Sequence, residues 1–438
     1  MSGALVDTWG SPVFATDRDS VALLEHAIAD LVALSGEPLA LADAAAADPD
    51  LVLARVLQAY LALYSTAEAG FEAAGKLVMG LDGWDLGAGE RELLHVLAAQ
   101  SWATGEWERA VNFLERALLH DPRDLLALKV AQDLYFFLGD KQGLRGVVER
   151  VLGAWPQDLP GWGFVQGMYA FGLEENGQYA EAEDRARAAL GDNARDVWAI
   201  HALAHVFEME GAQLEGVEFL AGTVENWGGS YFAVHNWWHR ALYHLELGAL
   251  EEVLALYDGP IRATRSTEWL DVVDAASLLW RLHLFGVDVE DRAKDLAGDV
   301  LPLLGQPVYV FNDWHGLMVA GLAGRREECE HIILANRFEA AGTNRRVVDD
   351  AGLGLLEGFH AFAQGDPAGA LWRLLDARPT AHRVGGSHAQ RDIVDLTLLA
   401  AAARSGNDLL SATLLSERVE RKPSARATAE DLVRVNSR

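Results

Sequence analysis

Matched residues recur at a spacing of 34 in the middle of this chain: Gly105 with Gly139, Pro122 with Pro156, and Asp124 with Asp158. About 34 residues is the length of one tetratricopeptide helix-turn-helix unit. Each matched residue has a mechanical part in such a unit. Glycine permits the tight turn between helices, small residues such as Ala110 and Ala117 let the helices approach closely, and the Asp-Pro pair ends the second helix. The same grammar continues through Gly177, Gly211 and Gly248, the first two again 34 apart. Spacing then loosens, while VYVFNDWHGLMVAGLAGRREECEHIILAN and GLLEGFHAFAQGDPAGALWRLLDAR still read as helix, short turn, helix. At least about seven helical pairs are expected. No segment shows the sustained alternation of a half-buried strand. The expected fold is all-α: a tetratricopeptide-like helical-repeat superhelix, an α-solenoid curved around a concave pocket. It is expected to form one continuous domain over 1–422, with N-terminal capping helices in 1–90 and repeats in 91–422, followed by a peripheral C-terminal tail, 423–438.

Composition narrows the partners. Half of the 438 residues are hydrophobic, enough for a large buried core. Acidic residues outnumber basic ones 65 to 36, and the net charge of -29 repels phosphate backbones, so no nucleic-acid partner is expected. The single cysteine, Cys329, allows neither an intrachain disulfide nor a thiolate zinc cluster, and a cytoplasmic location follows as the expectation. The start of the chain carries Asp7, Asp17 and Asp19 and does not read as a signal peptide. No apolar run approaches the roughly 20 residues needed to cross a bilayer, so no membrane partner is expected either.

Chemistry concentrates in two histidine pairs. His201 and His205 in HALAHVFEME, and His235 and His239 in HNWWHRALYH, are each four apart, and the second pair begins 34 residues after the first. Four-apart spacing places both imidazoles of a pair on one helix face, and the repeat length places the two helices in equivalent positions. Both pairs precede their turn glycines, Gly211 and Gly248, and therefore belong to first helices, which line the concave side of such arrays. Glu208 follows His205 by three and Glu246 follows His239 by seven, adding carboxylates to each stripe. Neutral imidazoles with carboxylates suit a divalent transition metal such as zinc, with His201, His205, His235 and His239 as the candidate ligands. HALAH lacks the glutamate of the HExxH metalloprotease motif. A hydrogen-bonded histidine network holding an organic ligand, and plain packing, are the competing readings.

Downstream segments extend the list. His315 precedes Gly324 by nine, as His239 precedes Gly248, so His315 and nearby Asp313 are candidates for the same groove. In RVGGSHAQRDIV, Ser387 can cap a helix carrying His388, Gln390, Arg391 and Asp392, with His388 and Asp392 four apart and Arg391 suited to clamp a carboxylate or phosphate. Trp237 and Trp238 cannot face the same way on a helix, and Trp238 is taken as a wall of the site. GGSH follows no apparent strand and is not a phosphate-binding loop.

The opening DTWGSPVFATDRDSVALLEHA, the ADPDLVLARVLQAYLALY segment, the HALAHVFEMEG and HNWWHRALYHLE helices, FNDWHG and GGSHAQRDIV together resemble the tetratricopeptide-repeat protein 38 family, over nearly the whole chain. The resemblance implies a helical-repeat protein and leaves its biochemical role undefined.

Three readings of function follow. The first is a helical-repeat protein whose histidine-rich concave pocket binds a small molecule or short peptide through His201, His205, Glu208, His235, Trp238, His239, Asp313, His315, His388, Gln390, Arg391 and Asp392. The second is a metal-assisted or histidine acid/base enzyme of hydrolase type using the same pocket, with His235, His388 and Asp392 as catalytic candidates. The third is a scaffold for a protein partner. Residue patterns leave open whether the chain is an enzyme.

Overall fold

The computed structural model describes residues 4–81 and 89–437. Residues 1–3, at the head of the segment weighed as a leader, lie outside the described residues. So do 438 and residues 82–88, the latter within the stretch assigned to the capping helices. The chain opens on an antiparallel hairpin, β1 (Ala4–Val6) and β2 (Pro12–Phe14), with Leu5 opposite Val13. This corrects the expectation of no strand: three residues are too few for alternation to register. Everything that follows among the described residues is helix and turn.

Contacts gather the helices into two compact units, residues 1–203 with 225–232, and 204–224 with 233–438. The first unit holds the hairpin, α1 (Arg18–Ala33), α2 (Pro38–Ala45), α3 (Val52–Leu63), α4 (Glu68–Met79) and α5 (Glu90–Ala103). It continues with α6 (Trp107–His120), α7 (Leu125–Phe137), α8 (Lys141–Val151), α9 (Trp162–Glu175) and α10 (Tyr179–Asp192). The next helix, α11 (Val197–Glu210), starts in the first unit and belongs to the second from Ala204 onward. After α12 (Gln213–Gly222) and the short α13 (Val224–Trp227) come α14 (Ala233–Glu246), α15 (Leu250–Leu256), α16 (Trp269–Leu284) and α17 (Glu290–Val300). The remainder is α18 (Val310–Leu322), α19 (Arg326–Glu339), α20 (Gly342–Val347), α21 (Leu353–Ala363), α22 (Pro367–Ala377), α23 (His388–Arg404), α24 (Asp408–Arg421) and α25 (Arg426–Asn436).

Local chemistry sets these boundaries. Gly105 and Gly139 adopt φ of 81° and 66°, a left-handed conformation that costs a residue with a Cβ, and this lets α5 turn into α6 and α7 into α8. Asp124 and Asp196 start α7 and α11 by accepting the Ala127 and Ala199 amides at 3.1 and 3.0 Å. Ala110 and Ala117 are buried where α6 packs on its neighbours. In the first unit, Tyr64 meets Trp102 edge-on with ring centroids 5.4 Å apart, and Trp102 is fully buried. In the second, Trp280, Trp314 and Phe359 form the centre, with Phe359 4.9 Å from Trp280 and 5.0 Å from Trp314. No described helix is long and apolar enough to cross a membrane.

Candidate functional site

Within the second unit, α11, α14, α16 and α23 converge on the histidines. α11 supplies His205 and, one turn later, Glu208; α14 supplies His235, Trp238 and His239; α23 begins with His388. His205 and His239 lie ring against ring at 4.4 Å, His235 and His239 at 4.8 Å, and His388 stands 5.4 Å from His205. Each of His205, His235 and His239 offers a ring nitrogen, all within 4.8 Å of one another. All three are buried, whereas His388 is partly exposed. His201 lies one turn before His205 on α11 and packs in the first unit between Phe171 and Phe232, at 4.8 and 5.2 Å.

Two of the three imidazoles have a buried carboxylate behind them. His235 Nδ1 hydrogen-bonds Asp274 Oδ2 of α16 at 2.7 Å, and His239 Nδ1 faces Glu208 Oε2 at 3.5 Å. A carboxylate accepting from Nδ1 fixes the tautomer and turns Nε2 outward as a lone-pair donor. Burial pushes His239 down to about 4 against the pull of Glu208, so the ring is neutral at physiological pH. Burial alone would raise the Glu208 carboxyl, but the Lys422 ammonium and His239 override it and hold Glu208 well below the usual carboxylate range.

The partner stripe lies on α16, the helix packed beside α14. Asp274 takes His235 and Ser277 Oγ accepts from Trp238 Nε1 at 3.0 Å, both across 39 residues. Arg281, one turn further, lies over the Trp238 ring at 5.4 Å. Trp238 is fully buried while its neighbour Trp237 sits under Arg240 at the edge, the division expected of adjacent helix positions. At the end of α24, Lys422 Nζ reaches Glu208 at 3.4 Å and Glu246 at 3.2 Å. Arg418 holds Asp392 through both terminal nitrogens.

The other sequence candidates divide. Ser387 does cap α23: its hydroxyl accepts the Gln390 amide at 3.2 Å, and Gln390 Oε1 accepts the Ser387 amide at 2.9 Å. Gln390 is thereby a capping residue in this structure. Arg391 donates to the carbonyls of Gly385 and Gly386, and Asp392 turns to Arg418 rather than to His388. Asp313 and His315 do not share one groove position. Two residues apart on α18, they face opposite ways: Asp313 meets Asn336 of α19, while His315 Nδ1 bonds the Phe311 carbonyl at 2.8 Å and its ring lies in the field of Arg281.

Sequence reasoning missed Asp274, Arg281, Arg418, Lys422 and Asn236. The first two carried a signal. Asp274, Ser277 and Arg281 recur at helix spacing about one repeat after His235 and Trp238, as Gly286 follows Gly248 by 38. Lys422 and Arg418 carried none, lying more than 170 residues from the carboxylates they meet on α11 and α14. Asn236 is fully buried, and among the described residues neither amide atom has a hydrogen-bond partner. No protein-family model matches the chain.

Proposed function

We propose that this chain is a tetratricopeptide-like α-solenoid, related to the tetratricopeptide-repeat protein 38 family, whose second unit holds one divalent transition metal on His205, His235 and His239 and uses it on a small polar molecule. The observation that carries the reading is the pair of carboxylates behind two imidazoles, Asp274 on His235 and Glu208 on His239. Fixing a buried ring needs no carboxylate, since a backbone carbonyl does it for His315 Nδ1 through Phe311. Two nitrogens on one tetrahedral zinc lie about 3.3 Å apart, and a separation of at most 4.8 Å is one that side-chain torsions close.

A metal there supplies Lewis-acid polarisation of a carbonyl or phosphoryl oxygen. The residues do the rest. Asp274 and Glu208 orient the His235 and His239 rings. Asn236 leads His239 by three on α14, and its buried amide, which costs about 1 to 3 kcal/mol when unsatisfied, is completed by a polar ligand. His388, partly exposed and against His205, is placed to pass protons to and from solvent.

Metal analysis of protein prepared without a histidine tag tests this. About one equivalent of metal is expected in the parent, and loss of nearly all of it in a His235→Ala/His239→Ala double variant. A parent without stoichiometric metal, even after incubation with zinc, sinks the proposal.

A further inference from the structure

The charge next to the histidines is unusual. Arg281 is fully buried, yet among the described residues no carboxylate lies within ion-pair distance of it. Its guanidinium is held by neutral carbonyls alone, Ser277 O at 3.3 Å, Ala389 O at 2.8 Å and Gln390 O at 3.4 Å, and by the face of Trp238. The last two carbonyls belong to the first turn of α23, the positive end of that helix. Burial lowers Arg281 to about 10, still far above neutrality, and the acids that oppose the shift, led by Asp392 and Glu208, act only from a distance.

His315 comes to the same place from α18. With Nδ1 on the Phe311 carbonyl, its Nε2 is buried and has no hydrogen-bond partner among the described residues, and the Arg281 charge acts on the ring. The Phe311 ring packs on the His315 ring at 4.4 Å and against Gly386, where an added Cβ would fall 2.7 Å from it. Arg281, His315 and the head of α23 are thus assembled around one spot. That spot adjoins the metal-ligand helix through Trp238, which stacks on His235 at 5.2 Å.

We infer that Arg281 and His315 seat an anionic group, a carboxylate or a phosphate, on the molecule that the three-histidine centre acts upon. This rests on the reading above for the identity of that molecule as a substrate; the anion seat itself does not need the metal. Of its five N–H donors the guanidinium gives three to the carbonyls and keeps two for the oxygens of such a group. A bare imidazole nitrogen beside it repels a fully ionised oxygen, so one proton must lie between them. A hydrogen phosphate brings that proton on its own O–H. A carboxylate brings none, and its docking draws one from solvent onto His315 Nε2.

Calorimetric titration with inorganic phosphate and, separately, acetate tests the seat, on the parent before and after metal removal by a chelator. The parent is expected to bind one equivalent of at least one of the two anions. Acetate binding takes up about one proton, read by repeating the titration in buffers of different ionisation heat, and phosphate binding takes up markedly less. Arg281→Gln should weaken binding by about tenfold or more. Because that variant also cuts the tie to α23 and can fail to fold, His315→Asn is the companion: it keeps a donor for the Phe311 carbonyl, removes Nε2, and should abolish the proton uptake while weakening binding several-fold.

Saturable binding lost in these variants supports the seat, and the favoured anion names the substrate class. Absent or non-saturable binding in the parent overturns it, as does affinity unchanged in His315→Asn, in which case Arg281 only ties α16 to α23. Stoichiometric metal without anion binding sinks this inference and leaves the metal centre; anion binding in a protein that never takes up metal does the reverse.

Discussion

Asp274 decides which nitrogen of His235 faces the other two imidazoles, because the bond at 2.7 Å places a proton on Nδ1. Asp274→Asn keeps the volume and removes the charge, and an asparagine can present its amide nitrogen to the ring and invert the tautomer. Metal affinity, measured by competition with a chromophoric chelator, should fall about 10- to 100-fold; an unchanged affinity would show that His235 is not a ligand. Asp313 gives a second residue-scale prediction with the opposite electrostatics. Burial raises its carboxyl to about 7 against the Asn336 bond. Its folded value lies above the ordinary aspartate value of 3.8, so its stabilising protonated state is fully present below that value and is lost as pH rises through 7. Asp313→Asn should therefore raise the unfolding free energy from urea melts at pH 8 by on the order of 2 kcal/mol, and leave it nearly unchanged at pH 4. An equal effect at both would show that packing, not charge, governs this position. At this scale the four paired histidines and Ser387 were legible, because spacing along one helix fixes what shares a face. Arg281, Arg418 and Lys422 were not, because a side chain's partner on a distant helix leaves no trace in local spacing.

Helices and their turns were the most legible level. Glycines at 105, 139, 177, 211 and 248 all take positive φ, so the period read from sequence is a period of backbone conformation. The hairpin β1–β2 escaped notice, and what holds it explains why. Arg91 of α5 reaches Asp7 at 2.9 Å in the hairpin turn and Asp124 at 2.7 Å at the start of α7, while His95 Nε2 meets the same Asp124 carboxylate at 3.0 Å and Tyr60 meets His95 Nδ1 at 3.1 Å. The hairpin is specified by ion pairing across 84 residues, not by strand propensity. Burial would raise Asp124, but Arg91 and His95 outweigh it and hold the carboxyl far below the usual range, whereas on Asp7 burial wins and the carboxyl is raised. For Asp124 the sign is clear: its folded pKa is depressed, so its contribution is complete above the ordinary carboxylate range and is lost as pH falls toward the folded value. Acid titration followed by near-ultraviolet circular dichroism should show the hairpin aromatics, led by Trp9, loosening first as Asp7 protonates, before the first unit unfolds. Asp124→Asn should cost about 3 kcal/mol at pH 7 by leaving Arg91 buried and half-paired; a cost below about 1 kcal/mol would mean that the network contributes little.

Over the whole molecule the tail departs most from a peripheral segment. Residues 426–436 form α25, and its Ala429 and Leu432 are fully buried. Thr428 Oγ1 donates to the Glu246 carbonyl at the end of α14, and Asn436 Nδ2 donates to the Leu284 carbonyl at the end of α16, at 2.9 and 2.8 Å. Before it, Ser424 lies against the turn glycine Gly211 after α11, and Gln213 donates to its hydroxyl at 3.4 Å. The tail thus closes the C-terminal ends of the three helices that carry Glu208, His235, His239, Asp274 and Arg281. A polar, mixed-charge sequence gave no hint of this, since α25 needs only a narrow apolar stripe to dock. Deleting residues 423–438 leaves every proposed ligand in place. By burial and hydrogen bonding it should nevertheless lower the melting temperature of the second unit by on the order of 10 °C, with the first unit's transition unmoved in the same calorimetric scan. The truncated protein should also release metal to a chelator faster than the parent, because α11, α14 and α16 lose the element that ties their ends together and Lys422, which pairs Glu208 and Glu246, loses the chain that follows it. If both the melting temperature and the release rate match the parent, the histidine centre is held by its own helices and α25 is only a cover.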